Sequence, residues 1–194
     1  MSENKTLSVI KTALILFVIT ALSATLLAVL NSITAPLIAE NSAKNQQEAL
    51  KAVMDGTKNF EELAITESMI ETAAKTGSEI NSLYAAKNGS ELSGYCAIIT
   101  TSGYDSGLQI AAGVDLDGKV TGVKIISSNE TPGLGQNAAK PEFLNQYIGK
   151  EFEISVVKSG AGDNEINAIS GATMTSDGVT GAVNTLLEIA KEEQ

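Results

Sequence analysis

Ser170-Gly171-Ala172-Thr173-Met174-Thr175-Ser176 puts four hydroxyls and two small residues into seven positions. It stands just before a periodic segment in which Val179, Val183, Leu186, Leu187 and Ala190 recur at i, i+4, i+7, i+8 and i+11. That spacing predicts an amphipathic helix, with Thr175 or Ser176 as its N-cap and Asp177 in its first turn. Residues 170–175 are then held at a helix N-terminus, where free N–H groups and the helix dipole favour a phosphate. Gly171 and Ala172 leave steric room there, and Thr173 supplies a hydroxyl. The chemistry implied is a phosphate site with a hydroxyl in covalent reach. The same residue types also describe an ordinary capped turn. No Gly-x-x-x-x-Gly-Lys-Ser/Thr run occurs, so nucleotide hydrolysis has no support.

A second stretch, Glu130-Thr131-Pro132-Gly133-Leu134-Gly135, is a turn under any reading because of Pro-Gly. Its two glycines around Leu134 also let backbone come close to a flat ligand. Composition removes competing chemistries. All 13 cationic side chains are lysine, His is absent, and Cys96 is alone. A Ser-His-Asp or Cys-His pair is therefore impossible, as are a multi-thiolate or His-containing zinc site and a CxxC pair or intrachain disulfide. Neither catalytic residues nor metal ligands are expected. Net charge of −10 argues against nucleic acid as a partner. Cys96, in the apolar run Tyr95–Ile99, reads as a buried core thiol.

The elements that must position these stretches begin with an uncharged run from Thr12 to Ala39, bracketed by Lys11 and Glu40. Its most apolar part, Ala13 to Leu30, spans roughly 27 Å as a helix at about 1.5 Å per residue, close to a hydrocarbon core of about 30 Å. It is longer than the apolar region of a cleaved signal, about 7–15 residues, so a retained anchor is expected. Thr20, Ser23 and Thr25 either bond their own helix backbone or mark a face for another membrane helix. Lys5 and Lys11 before the span nearly balance Lys44 and Lys51 after it; the orientation adopted has the tail inside and the C-terminal domain outside. Residues 40–54 are rich in helix formers and read as a stalk helix ended by Asp55-Gly56. Residues 57–80 are weakly patterned, with one short helix over 67–74. Strands follow over 83–87, 94–101, 108–114 and 119–126, with Asn88-Gly89 and Asp117-Gly118 as hairpin turns. A short helix over 142–147, a strand over 152–157, the acidic Gly-rich loop 159–165 and Ile166–Ile169 lead back to Ser170. The class is α+β: one N-terminal membrane helix, then an antiparallel sheet with flanking helices.

Ser170-Gly171-Ala172-Thr173 followed by Met174-Thr175-Ser176 resembles the flavinylation motif of the FMN-binding domain family, and Glu130–Gly135 resembles that family's other signature. With the N-terminal span and the Asp115–Lys119 hairpin, the whole chain resembles the G-subunit family of Rnf ion-translocating electron transport complexes. The related C subunit of sodium-translocating NADH:quinone reductases shares the domain and is usually longer; a non-catalytic membrane-anchored binding or assembly module is the other alternative. The resemblance implies FMN esterified through its phosphate to Thr173 by a separate flavin transferase. Ser170, Gly171, Ala172 and Thr175 would lie at its phosphate or ribityl chain, Glu130, Thr131, Gly133 and Leu134 would line its ring, and Lys158 would neutralise phosphate charge. It further implies an electron-carrying subunit of an ion-translocating ferredoxin:NAD oxidoreductase, not catalytic alone. Its partners would be other membrane and peripheral subunits and the lipid bilayer, and its place the bacterial inner membrane, C-terminal domain outside. The divisions expected are a tail over 1–11, the span over 12–39, stalk and connector over 40–80, and the FMN-binding domain over 81–194. One departure is visible: the family motif usually has an acidic residue six positions before the acceptor threonine, where this chain has Asn167.

Overall fold

The computed structural model describes residues 3–193, and the chain divides into two compact units, Met1–Lys44 and Asn45–Gln194. Helix α1 (Glu3–Val53) is continuous and keeps Pro36 inside it, so the expected tail is helical from Glu3; Met1 and Ser2 lie outside the described residues. In the first unit the large apolar side chains from Leu7 to Ile38 are exposed, as a helix surrounded by lipid requires. Of the three hydroxyls, Thr20 and Thr25 take the back-bonding option. Thr20 Oγ1 donates to the Leu16 and Phe17 carbonyls at 3.0 and 2.9 Å, and Thr25 Oγ1 to the Ala21 carbonyl at 2.8 Å. Thr34 Oγ1 does the same to the Leu30 carbonyl at 3.0 Å. A polar group without water nearby is thereby satisfied by its own helix.

The second unit is built on one antiparallel meander: β1 (Asn59–Leu63), β2 (Glu79–Asn88), β3 (Glu91–Thr101), β4 (Leu108–Asp115) and β5 (Val120–Ser127), paired in that order. The β4–β5 turn is held by Asp115 Oδ1, which accepts from the N–H groups of Asp117 and Lys119 at 3.0 and 2.9 Å. Gly118 supplies the left-handed conformation at φ +78° that a tight hairpin demands. β1 falls in the stretch read as a connector, since it is a largely exposed edge strand with no alternating signal. Helix α2 (Glu67–Lys75) is where the sequence placed it, with Thr66 as N-cap accepting from Met69 N–H at 3.4 Å.

The sheet is covered on both faces, which explains why β3 reads as an unbroken apolar run rather than an alternation. Tyr95, Ala97 and Ile99 join the core beneath α2 and α4 (Thr173–Glu192), whereas Cys96 and Ile98 join Leu50, Val53 and Met54 at the end of α1. Leu83, Leu186, Leu187 and Ile189 are at most 1% exposed, and burying each such side chain is worth about 1.5–3 kcal/mol. The last turn of α1 seats on two glycines: a Cβ at Gly113 would lie 2.6 Å from Val53 O, and one at Gly122 would lie 2.9 Å from Val53 Cα. Thr121 Oγ1 donates to that same Val53 carbonyl, an acceptor left over at the helix end.

Beyond β5 come a 3₁₀ turn (Gly135–Ala139), helix α3 (Pro141–Leu144) and a second 3₁₀ turn ending at Tyr147. Two short parallel strands follow, β6 (Ser155–Val157) and β7 (Glu165–Asn167). The strand expected over 152–157 is thus shorter. Ile154 bonds instead to Asn184 of α4, whose amide donates to its carbonyl at 2.8 Å and accepts from its N–H at 2.9 Å. That two-way bond pins the lobe carrying 159–171 to the helix whose N-terminus it precedes.

Candidate functional site

α4 begins at Thr173, and the position before it, Ala172, makes no side-chain capping bond. The expected cap at Thr175 or Ser176 is therefore corrected: the helix starts before both. The physical reason is that both hydroxyls are engaged elsewhere. Ser176 Oγ accepts from Ile169 N–H at 3.0 Å and donates to the Ala172 carbonyl at 3.1 Å, while Thr175 Oγ1 donates to Glu130 Oε2 at 3.0 Å. The first intrahelical bond runs from Ser176 N–H to the Ala172 carbonyl, which leaves the N–H groups of Thr173, Met174 and Thr175 without an intrahelical partner. Gly171, at φ +77°, makes the turn that leads the chain into this end. A hydroxyl-bearing, exposed Thr173 thus stands on the first residue of a 20-residue helix whose leading donors are not capped.

Opposite lies Glu130, a carboxylate only 3% exposed. It ties three segments together. Oε2 accepts from Thr175, Oε1 accepts from Asp105 N–H at 3.2 Å, and its own N–H donates to Ser128 Oγ at 3.2 Å. Glycines make the closeness possible: a Cβ at Gly103 or Gly135 would overlap the Glu130 side chain, and one at Gly178 would overlap the Ser102 carbonyl. The bend 102–107, the Glu130 loop and the start of α4 therefore converge on one buried carboxylate.

Between them opens a cavity of about 600 Å³, within the usual range for small-molecule sites of about 300–1,000 Å³. Of the residues singled out in the sequence, Glu130, Thr131, Leu134, Gly171, Ala172, Thr173 and Thr175 line it. Ser170 and Gly133 sit in the same two loops without lining it, and Lys158 is exposed beyond the end of β6. Gly135 and Met174, which belong to the two motifs but were given no individual contact, line it too, as does Tyr104, which sequence reasoning did not assign to the site. For Tyr104 the available signal was its place in the Gly-rich bend after β3. Tyr104, Leu134 and Met174 are 79, 45 and 59% exposed, so they present apolar surface to whatever enters. Glu130 is the sole charged side chain among the lining residues, which leaves negative ligand charge to the helix N-terminus.

These features fit a ligand with a phosphate at one end and a flat apolar body at the other. Uncapped N–H groups and hydroxyls meet the first need, and exposed apolar side chains the second. Residues 103–188 match the FMN-binding domain family and residues 1–53 match the RnfG N-terminal region. The chain is 37% identical over 189 residues to the G subunit of the Na(+)-translocating ferredoxin:NAD(+) oxidoreductase complex of Acetobacterium woodii, covering 93% of this chain and 91% of that one. The chain belongs to the RnfG family. The G subunit of an ion-translocating oxidoreductase complex from Methanosarcina acetivorans is 28% identical over the full length of both chains. The C subunit of the Na(+)-translocating NADH-quinone reductase of Vibrio campbellii is 30% identical, but over 72% of this chain and 53% of that one. Among solved structures, the corresponding C subunit from Parabacteroides distasonis superposes with a TM-score of 0.52 at 25% identity, covering 76% of this chain and 92% of that one. Its likeness supports the α+β arrangement of an FMN-binding fold. The RnfG family thus fits this chain better than the quinone-reductase alternative. Its membership together with α1, the one helix among the described residues with a candidate span, of mean hydropathy 2.7, supports a single-pass membrane protein.

Proposed function

We propose that this chain is the flavin-carrying subunit of a membrane-bound, ion-translocating ferredoxin:NAD oxidoreductase complex, with FMN joined through its phosphate to Thr173. The observation that carries the reading is the position of Thr173: an exposed hydroxyl on the first turn of α4, at a cavity whose facing wall is Glu130–Gly135. The ester would form between Thr173 Oγ1 and the flavin-side phosphorus of a flavin dinucleotide, with a separate flavin transferase as catalyst. The bond from that phosphorus to the bridging oxygen would break, a nucleoside monophosphate would leave, and the hydroxyl proton would be released. The flavin supplies one- and two-electron redox chemistry.

The residues of this chain do the rest. The N–H groups at the start of α4 hold the phosphate. Gly171 and Ala172 keep that end free of bulk, and Ser170 and Thr175 stand as polar neighbours. Thr131, Leu134 and Tyr104 would flank the ring, with Gly133 in the turn that carries Leu134, and the two-way Asn184–Ile154 bond keeps the loop before Thr173 in register. Lys158, exposed and outside the cavity lining, is given the minor role of screening phosphate charge. Residues 45–194 lie on the extracytoplasmic side, where a covalent tether makes local flavin concentration independent of a free pool. Other subunits of the complex supply and accept the electrons.

The test is denaturing electrophoresis under ultraviolet light with intact mass, on full-length chain made alongside a flavin transferase. The expected result is a fluorescent band heavier by one FMN less one water, and loss of both in Thr173→Ala. A wild-type chain with neither sinks the proposal.

A further inference from the structure

Glu130 stands at the wall of the cavity, and its surroundings suit a second task. It is 3% exposed, each carboxylate oxygen accepts a hydrogen bond, and it lies so close to Gly103 and Gly135 that a Cβ at either would overlap its side chain. No lysine lines the cavity with it. A fixed negative charge beside a small cavity with low-dielectric walls acts strongly on any group there whose charge changes. We infer that Glu130 sets the reduction potential of the bound flavin, holding it low by repelling the negative charge that reduction places on the ring. The inference rests on the flavin reading above. It makes Glu130 a tuning residue rather than a catalytic one, with its grip on Thr175 and the Asp105 N–H serving to hold the charge in place.

The sign follows from charge alone. Removing the carboxylate's charge stabilises the reduced form and raises the potential. Removing the Thr175 hydroxyl, a donor that partly neutralises Oε2, leaves the charge more exposed and lowers it. A general loosening of the site would move both variants the same way.

The experiment is a potentiometric titration of the solubilised full chain carrying covalent flavin, with loading checked by intact mass. Glu130→Gln is expected to raise the reduced-to-oxidised ratio at fixed poise at least tenfold, about 30 mV for a two-electron couple. Thr175→Val is expected to lower it. A loaded Glu130→Gln chain whose potential is unchanged or lower overturns the inference and leaves the flavin reading standing. Should Glu130→Gln fail to accumulate, Thr175→Val decides: a lower potential supports the inference, and an unchanged or raised one overturns it. Absence of flavin from the wild-type chain defeats the earlier reading instead.

Discussion

Thr173 and Cys96 mark two opposite fates of a potentially reactive side chain. Thr173 is exposed at a helix start, whereas Cys96 is fully buried among Ala86, Ile98 and the end of α1. Burial pushes the Cys96 thiol up from its ordinary value near 9 to about 12, because a thiolate cannot be solvated there. A thiol reagent should therefore find no reactive group in the native chain at pH 8 and one after denaturation; native reactivity would contradict the packing. Linkage gives a second consequence. The folded thiol keeps its proton up to about pH 12 while the unfolded one loses it from about pH 9, so the unfolded state binds fewer protons in that window. Stability is thus intact below pH 9 and falls as pH rises toward 12, by at most about 1.4 kcal/mol per unit for this one group. Tyr147, also raised mainly by burial, acts with the same sign above its ordinary range. Urea midpoints measured from pH 8 to 11 check it, and a midpoint that rises would refute it.

At the scale of elements, the two glycines under α1 make the sharpest prediction. A methyl group at Gly122 would press on the backbone of Val53 at 2.9 Å, and backbone cannot step aside as a flexible side chain can. Gly122→Ala should destabilise the second unit by about 1–3 kcal/mol through overpacking, read as a lower urea midpoint. Gly162→Ala, where the nearest atom is Glu165 Oε2 at 3.4 Å, should change it by less than about 0.5 kcal/mol. Equal effects would mean that the α1 seat is not tight. The start of α4 shows the same dependence on neighbours. A sequence rich in Ser and Thr predicts a capped helix, yet Glu130 and the Ile169 N–H draw both hydroxyls away. The helix is left uncapped where a ligand can serve as its cap.

For the whole molecule, sidedness is open to a direct test, and the buried Cys96 makes the background silent. Ser159 is exposed in the loop between β6 and β7. A Ser159→Cys chain in intact cells should react with a membrane-impermeant maleimide if residues 45–194 face outward. Labelling only after the cells are broken would place them inside. Much of this plan was legible in the sequence, for reasons local to the chain. An uncharged run long enough for a bilayer, Asp-Gly and Asn-Gly hairpin turns, and a 3.6-residue apolar period each report nearest neighbours, and each predicts its element. The two hydroxyl- and glycine-rich motifs were likewise visible, as was the lone buried thiol. What the sequence by itself could not contain was who meets whom. Only the tertiary structure decided that α1 ends on the sheet face opposite α4, and that the edge strand Asn59–Leu63 completes the meander. Only the fold brought Tyr104, Glu130 and Thr175 to one cavity from three separate stretches of chain. Those outcomes depend on contacts between distant segments, and no local pattern encodes them.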